Sequence, residues 1–252
     1  MIVPLWPHHS VRVNIQTYYA MPDIKTIFAN CIAKAQSSML RSGWVIVRDN
    51  PCRKRARSLG QEKYFETFDY VRLAQLELLA CHLEHFSIAG HCAEVGVYRG
   101  YFAQKIREFL PGRKLYLFDT FEGFDQRDLD VEQKVSTHSA KDDFSGTSVD
   151  AVISIIQGDD IIVRKGFFPG TAEDSDGPFA LVSMDVDLYQ PTLEGLRFFF
   201  PRMSPGGVIL VHDYNNTRYP AVRNAVHEFF ADGVGFVPIP DKNGSVLIIK
   251  PH

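Results

Sequence analysis

Two short apolar runs that end in ligand-type side chains place the strongest constraint on how this chain folds. The runs Ala180–Met184 and Val208–Val211 have the length and the β-branched content of strands buried on both faces of a parallel sheet. One helical crossover separates them, so we expect neighbouring strands. Three carboxylates and one imidazole follow these runs directly: Asp185, Asp187, His212 and Asp213. They would meet at the carboxyl edge of the sheet, where open α/β sheets bind ligands.

These four side chains have the composition of a metal site. Magnesium prefers carboxylate oxygens, and an imidazole also suits manganese, iron or zinc. A structural alternative also fits the sequence. In it, Asp185 and Asp187 cap a helix that starts near Pro191. His212 and Asp213 then open a polar turn. We favour a metal site with a spare base, because both clusters fall at strand ends.

A strand, a tight glycine turn and a helix are predicted earlier in the chain. The segment HCAEVGVYRG ends at Gly100 and is followed by a helical pattern at Tyr101–Phe109. Gly96 and Gly100 would let the backbone pass close to a ligand, and the helix N-terminus offers free amide groups. The spacing E-x-G-x-x-x-G is not the G-x-G-x-x-G that seats a pyrophosphate. Glu94 would instead attract the ammonium of a cofactor with an amino acid end, which points to S-adenosylmethionine.

A second predicted strand, KLYLFD, ends at Asp119. An acid about twenty residues beyond a glycine turn is placed to accept both ribose hydroxyls of a nucleoside cofactor. Asp119 alone does not predict a cofactor site. Together with Glu94 and Gly96 it strengthens the prediction of a cofactor site.

The rest of the chain predicts an α/β domain that ends in a hairpin. Residues 61–86 have the pattern of a long amphipathic helix, and the polar segment 122–146 is typical of a mobile loop that closes over a site. Asn243-Gly244 between two apolar runs predicts an antiparallel hairpin. A parallel sheet that finishes this way is typical of class I methyltransferases. We therefore assign residues 61–252 to one Rossmann-like domain and residues 1–60 to a helical extension, which would contact the substrate or a second subunit.

Composition and charge narrow the class of protein. The chain has 252 residues, a net charge of −3 and a pI near 6.3, so nothing draws it generally to nucleic acid or to an anionic membrane. It has no apolar run of membrane-spanning length and no signal peptide pattern at its start. We expect a soluble, cytoplasmic protein whose four cysteines are reduced thiols.

Five ordered blocks resemble a known family. CAEVGVYRGYFA, LFDTFEGFD, KGFFPGT, MDVDLYQPTLEGL and SPGGVILVHDY are similar to the macrocin O-methyltransferase family. Its members are metal-dependent enzymes that methylate sugar hydroxyls of macrolide and aminocoumarin antibiotics. The resemblance extends from about Phe65 to the C-terminus, and it implies a class I methyltransferase fold with a mostly parallel seven-stranded sheet.

The resemblance also implies residue roles. Asp185 would be a metal ligand and Asp187 the base that takes the proton of the substrate hydroxyl. The family implies magnesium as the metal, held after the later strand by two adjacent aspartates. This chain has His212-Asp213 there, and the loss of one carboxylate lowers the preference for magnesium, so manganese, iron or another transition metal is an alternative. His212 could alternatively serve acid or base chemistry. The residues implied to line the cofactor site are Glu94, Gly96, Gly100, Asp119, Thr120, Gly166 and Asp185.

We therefore expect an O-methyltransferase that uses S-adenosylmethionine and a divalent metal. Its acceptor would be a small molecule with hydroxyl groups, such as a glycoside or sugar of a natural product, and the protein would be a homodimer. One alternative is a cofactor-binding protein with an altered metal site, either metal-free or non-catalytic. A nicotinamide-dependent oxidoreductase is less favoured, because the pyrophosphate glycine pattern is missing.

Overall fold

The computed structural model describes residues 70–136, 144–175, 177–231 and 235–252. Within these ranges the chain forms a seven-stranded sheet in the order β3-β2-β1-β4-β5-β7-β6. The strands are β1 (His91–Val95), β2 (Leu115–Asp119), β3 (Ile161–Lys165), β4 (Phe179–Met184), β5 (Met203–Val211), β6 (Phe236–Pro238) and β7 (Val246–Ile249). The first five pair in parallel, and β7 runs antiparallel to both β5 and β6.

Six α-helices cover the sheet within the described residues. They are α1 (Tyr70–His85), α2 (Tyr101–Phe109), α3 (Gln126–Val135), α4 (Val149–Ile155), α5 (Tyr189–Phe199) and α6 (Ala221–Phe229). Side-chain caps define two of the starts, since Asp125 accepts from Arg127 N at α3 and Ser148 accepts from Ala151 N at α4.

Two hydrophobic cores lie on opposite faces of the sheet. Because side chains alternate along a strand, neighbours such as Cys92 and Ala93 belong to different cores. One core packs α1, α2 and α4 against the sheet. The other packs α5 and α6 and is rich in aromatic rings, including the stacked pair Phe168 and Phe199. Strands β1 and β4 are buried between the two, which explains why most of their residues are apolar; Glu94 of β1 and Ser183 of β4 are buried polar exceptions.

The predicted fold is confirmed, with one local correction. The parallel sheet, the closing antiparallel pair and the helix at Tyr101–Phe109 are as expected. Residues 122–146 are not wholly a loop, because α3 occupies their middle, while residues 137–143 lie outside the described residues. The predicted helix at 61–86 is seen as α1, and its first nine positions lie outside the described ranges. The domain boundary at residue 60 and the helical extension before it likewise lie outside them and stay predictions.

No helix in the described part of the chain is both long enough and apolar enough to cross a bilayer. Cys81 and Cys92 are free thiols in this structure, and the reduced state of the four cysteines stays a prediction. Cys31 and Cys52 lie outside the described residues.

Candidate functional site

A cavity of about 500 Å³ lies at the carboxyl ends of the parallel strands. This volume is in the range of small-molecule sites. The structure brings most of the sequence-predicted residues to its wall. Those that line it are Glu94, Gly96, Asp119, Thr120, Gly166, Asp185, Asp187 and His212. Gly100 and Asp213 do not line it.

A row of backbone hydrogen bonds lies beneath this cavity. It joins the strand exits, by which we mean the residues directly after the carboxyl ends of the parallel strands. In each, the residue that follows one strand donates to a carbonyl of the neighbouring strand. The four bonds run from Gly166 N to Asp119 O (2.9 Å), from Gly96 N to Phe118 O (2.9 Å), from Asp185 N to Val95 O (2.9 Å) and from His212 N to Met184 O (2.8 Å). The floor of the cavity is therefore continuous from β3 to β5.

Gly96 is required where β1 leaves the sheet. Its φ is +80°, and a Cβ built there would lie 2.0 Å from the carbonyl oxygen of Asp185. Only glycine permits both the left-handed backbone and this contact. The close approach places the glycine turn directly beside Asp185.

Gly100 allows two helices to pack closely in this structure. It precedes α2 with φ +75°, and an added Cβ would lie 2.9 Å from Val152 Cγ1. The glycine thus lets α2 and α4 approach each other behind the cavity wall. Its expected contact with a cofactor stays a prediction.

Glu94 is a buried carboxyl with an unsatisfied oxygen. Its side chain accepts a hydrogen bond from the backbone of Ala103, while Oε2 is buried and has no partner among the described residues. Burial raises the pKa of Glu94 well above its ordinary range, although the positive charge of Arg72 opposes this shift. A positively charged group in the cavity would supply the missing partner.

Asp119 organises the glycine turn. Its Oδ2 accepts from the backbone amides of Val97 (2.7 Å) and Tyr98 (2.8 Å), and Oδ1 accepts from Phe121 N (2.7 Å). Because a carboxylate oxygen accepts about two hydrogen bonds, one position on Oδ1 remains. Asp119 therefore has room for one ribose hydroxyl, whereas the sequence suggested that it would hold both.

Thr120 and Gly166 shape the wall next to Asp119. Thr120 Oγ1 donates to Gly123 O (2.5 Å) and accepts from Glu122 N (3.2 Å), so it fixes the turn after β2. Gly166 has φ +133° and leaves β3 at the cavity. Both place backbone, rather than long side chains, at this part of the wall.

Asp185, His212 and Asp213 form a compact cluster whose potential ligand atoms all lie within 4.8 Å of one another. His212 Nδ1 lies 3.0 Å from Asp185 Oδ1 and 2.6 Å from Asp213 Oδ2. Asn216 Nδ2 donates to the other oxygen of Asp213 at 2.5 Å. Two carboxylates and an imidazole at this spacing suit a divalent cation. The residues therefore fit the metal that the sequence predicts.

Positively charged side chains of the protein also balance the negative charges of this cluster. Burial and Arg72 would lower the pKa of His212, but Asp185 and Asp213 outweigh them and raise it to about 9. Burial alone would raise the pKa of Asp185, yet His212 and Arg72 hold it far below its usual range. Two positive side chains thus face two carboxylates.

Arg72 is a site residue that the sequence analysis missed. It lies on α1, and its Nη1 donates to Asp185 Oδ2 at 2.7 Å. The guanidinium also stacks on Phe102 at 4.1 Å from the ring centroid. An arginine at the start of a helix carries no local signal of this contact, because its partner lies 113 positions further along the chain.

Asp187 lines the cavity beside the cluster and has φ +60°. Asp213 has a similar φ of +61°. Aspartate tolerates this left-handed conformation better than most residues, although at some cost in energy. The backbone turn after β4 separates Asp187 from the cation cluster and leaves it on the cavity wall.

Comparison with known proteins agrees with this geometry. The family model described as "Macrocin-O-methyltransferase (TylF)" matches residues 29–234. Calicheamicin methyltransferase CalS11 shares the fold with a TM-score of 0.60 at 16% identity, over 96% of this chain and 99% of that chain. The fold is that of class I O-methyltransferases.

Two curated relatives match part of the chain. The 8-demethyl-8-(2,3-dimethoxy-alpha-L-rhamnosyl)-tetracenomycin-C 4'-O-methyltransferase of Streptomyces olivaceus is 30% identical over 56% of this chain and 58% of its own length. Mycinamicin III 3''-O-methyltransferase of Micromonospora griseorubida is 29% identical over 56% of this chain and 61% of its own length. The chain thus spans about three fifths of the length of these relatives.

Proposed function

This chain belongs to the macrocin-O-methyltransferase family, and on that premise we propose that it transfers a methyl group from S-adenosylmethionine to a hydroxyl of a small molecule. The acceptor class that we propose is a sugar carried by a natural product, since one relative is named for a rhamnosyl-bearing acceptor. The main support for the proposal is that the glycine turn of β1 and the acids after β4 and β5 line one and the same cavity.

The cofactor would lie across the strand exits. Glu94, buried with an oxygen that lacks a partner, would bind the ammonium group. Asp119 would accept from a ribose hydroxyl through its remaining acceptor position. S-adenosylmethionine supplies a methyl group on a positively charged sulfur, and the apolar part of the cavity wall, with Phe118, Phe124 and Phe168, would keep water away from it.

Asp185, His212 and Asp213 would hold the divalent cation in this proposal. Such a cation lowers the pKa of a hydroxyl bound to it. The imidazole of His212 broadens the choice of metal toward manganese and iron. Arg72 contributes a positive charge to Asp185 at 2.7 Å and would have to share this carboxylate with the metal.

Asp187 would act as the general base. It lies on the cavity wall, two positions beyond Asp185, and is not a member of the cation cluster. Its carboxylate would take the proton of the acceptor hydroxyl while the wall around it aligns the oxygen with the methyl group.

One assay tests the proposal. Purified protein receives S-adenosylmethionine with a labelled methyl group and a panel of glycosides with neighbouring hydroxyls. Magnesium, manganese, ferrous iron or a chelator is added in parallel. We expect label on a sugar oxygen, its loss with the chelator and its return with metal. Calorimetry with S-adenosylmethionine and NAD provides the control, because binding of NAD alone would contradict the proposal.

A second candidate is a metal-free or non-catalytic protein that binds S-adenosylmethionine. The observation that favours it is the internal charge balance, in which Arg72 and His212 contact the carboxylates of Asp185 and Asp213. In that case the chelator would not change cofactor binding or methyl transfer.

The protein is also proposed to be a homodimer. Size-exclusion chromatography of the same sample tests this.

A further inference from the structure

One buried acid of the cavity wall has no part in the chemistry above. Asp128 lies on α3, is 8% exposed and lines the cavity. Its Oδ1 is buried and has no hydrogen-bond partner within the described residues. A buried carboxyl oxygen without a partner is costly, and a ligand that donates a hydrogen bond would remove that cost.

Three contacts fix the helix that carries Asp128. Asp125 caps the first turn through Arg127 N at 3.0 Å. The guanidinium of Arg127 stacks on Phe167, just after β3, at 3.5 Å from the ring centroid. One turn beyond Asp128, Glu132 Oε2 accepts from Tyr189 N of α5 at 2.9 Å. The carboxyl group is therefore presented from a rigid support, as recognition of a fixed ligand edge requires.

The order of the strands indicates which part of the cofactor reaches Asp128. In the proposed binding mode the amino acid end would lie at β1, next to Glu94, and the ribose would lie at β2, next to Asp119. The next strand in the sheet is β3, so the base extends toward its exit. Gly166, Phe167 and Asp128 all line the cavity, and the contact of Arg127 with Phe167 packs α3 against the segment that follows β3.

We propose that Asp128 recognises the adenine base of the cofactor by accepting a hydrogen bond from its exocyclic amino group. This assignment rests on the proposed use of S-adenosylmethionine. Burial, followed by the negative charge of Asp125, raises the pKa of Asp128 to about 7. An amino donor would satisfy the oxygen in either protonation state, since both states retain a carbonyl-type acceptor.

Calorimetric titration with two ligands tests the proposal. One is S-adenosylhomocysteine, and the other is its 6-deamino analogue, in which a hydrogen replaces the amino group. The proteins are the wild type, Asp128→Ala, Asp128→Asn and the matched control Asp130→Asn. Asp130 is an exposed acid on the same helix and does not line the cavity.

We expect the effects of substituting Asp128 and of removing the ligand's amino group not to add, because both changes remove the same hydrogen bond. The wild type and Asp130→Asn should bind S-adenosylhomocysteine at least about tenfold more tightly than the analogue, which corresponds to the loss of one hydrogen bond to a charged or buried group. Asp128→Ala should bind both ligands about equally weakly. Asp128→Asn keeps an acceptor oxygen and should preserve most of the preference. Thermal melting checks that each variant is folded.

Two outcomes would overturn the assignment. If Asp128→Ala discriminates between the ligands as the wild type does, Asp128 does not contact the amino group, although the proposed cofactor stands. If the folded wild type binds neither ligand, the proposed function fails and the assignment fails with it.

Discussion

At the scale of single residues, Asp187 carries the proposed proton transfer. Asp187→Asn keeps the shape of the side chain and removes the base, so we expect kcat to fall by about 10²- to 10⁴-fold. Binding of S-adenosylmethionine should change little, because the base acts on the acceptor. Steady-state kinetics and calorimetry measure the two quantities. Asp159→Asn, at an exposed turn, is the matched control. A turnover within a few fold of the wild type would contradict the assignment.

Asp128 predicts a pH dependence of stability. Burial, then Asp125 and Glu132, raise its pKa from 3.8 to about 7, and Arg127 opposes them. Between these values the folded protein retains a proton that the unfolded chain has released, so the free energy of unfolding falls as pH rises through this window. Asp128→Asn should remove this slope. The variant should match the wild type near pH 4 and exceed it at pH 8 by on the order of 1–3 kcal/mol.

Urea unfolding of ligand-free protein across this pH range measures the effect. The informative quantity is the difference between variant and wild type, because other titrating groups cancel in it. Asp130→Asn, which changes an exposed acid of the same helix, should give a nearly flat difference. A flat difference for Asp128→Asn as well would show that burial does not shift its titration.

At the scale of elements, the junction between β1 and β4 depends on Gly96. Gly96→Ala would place Cβ 2.0 Å from the carbonyl oxygen of Asp185, so the two strand exits must separate. We expect the free energy of unfolding to fall by more than about 3 kcal/mol, or folding to fail. Gly112→Ala is the matched control, since Gly112 has φ +77° but no atom near an added Cβ. It should cost only about 1 kcal/mol. If both variants lost the same free energy of unfolding, the left-handed backbone alone, and not the contact with Asp185, would account for the effect at Gly96.

Helix α1 contributes to the site through Arg72. Arg72→Met removes a nearly buried guanidinium from the half-buried carboxylate of Asp185, which should lower the free energy of unfolding by about 2–4 kcal/mol. Manganese should restore part of this loss if the cluster binds metal, because binding to the folded state stabilises it. The control Arg197→Met breaks exposed ion pairs with Glu194 and Glu228 and should cost less than about 1 kcal/mol. A loss that manganese does not reduce would argue against a metal at Asp185.

The elements show where sequence reasoning works and where it stops. Strands β4 and β5 were predictable because burial on both faces gives them short, mainly apolar runs, Ala180–Met184 and Val208–Val211. Helix α3 was missed, since its acidic sequence is typical of a loop. Its helical conformation depends on the Asp125 cap and on contacts such as that of Glu132 with Tyr189 N, 57 positions away. Such long-range contacts leave no local pattern.

At the scale of the whole molecule, the sheet topology was easier to predict than the balance of charges. The acids at the strand ends follow from their position in the sequence, because parallel strands place their carboxyl ends together. Arg72 and Asp128 come from helices that pack over the edge of the sheet, and their partners are set by tertiary packing. The sequence therefore predicted most of the residues that line the cavity at the carboxyl ends of the strands, but not the guanidinium of Arg72 or the buried acid Asp128.

The row of backbone hydrogen bonds under the cavity has a further consequence. Gly166, Gly96, Asp185 and His212 each donate to the adjoining strand, so no one of these amides can open without disturbing the next. In amide hydrogen exchange we expect the four to behave as one slowly exchanging cooperative unit. Cofactor bound at one end of this row and acceptor bound at the other would then rest on one stiff floor, and either ligand alone should slow exchange along its full length.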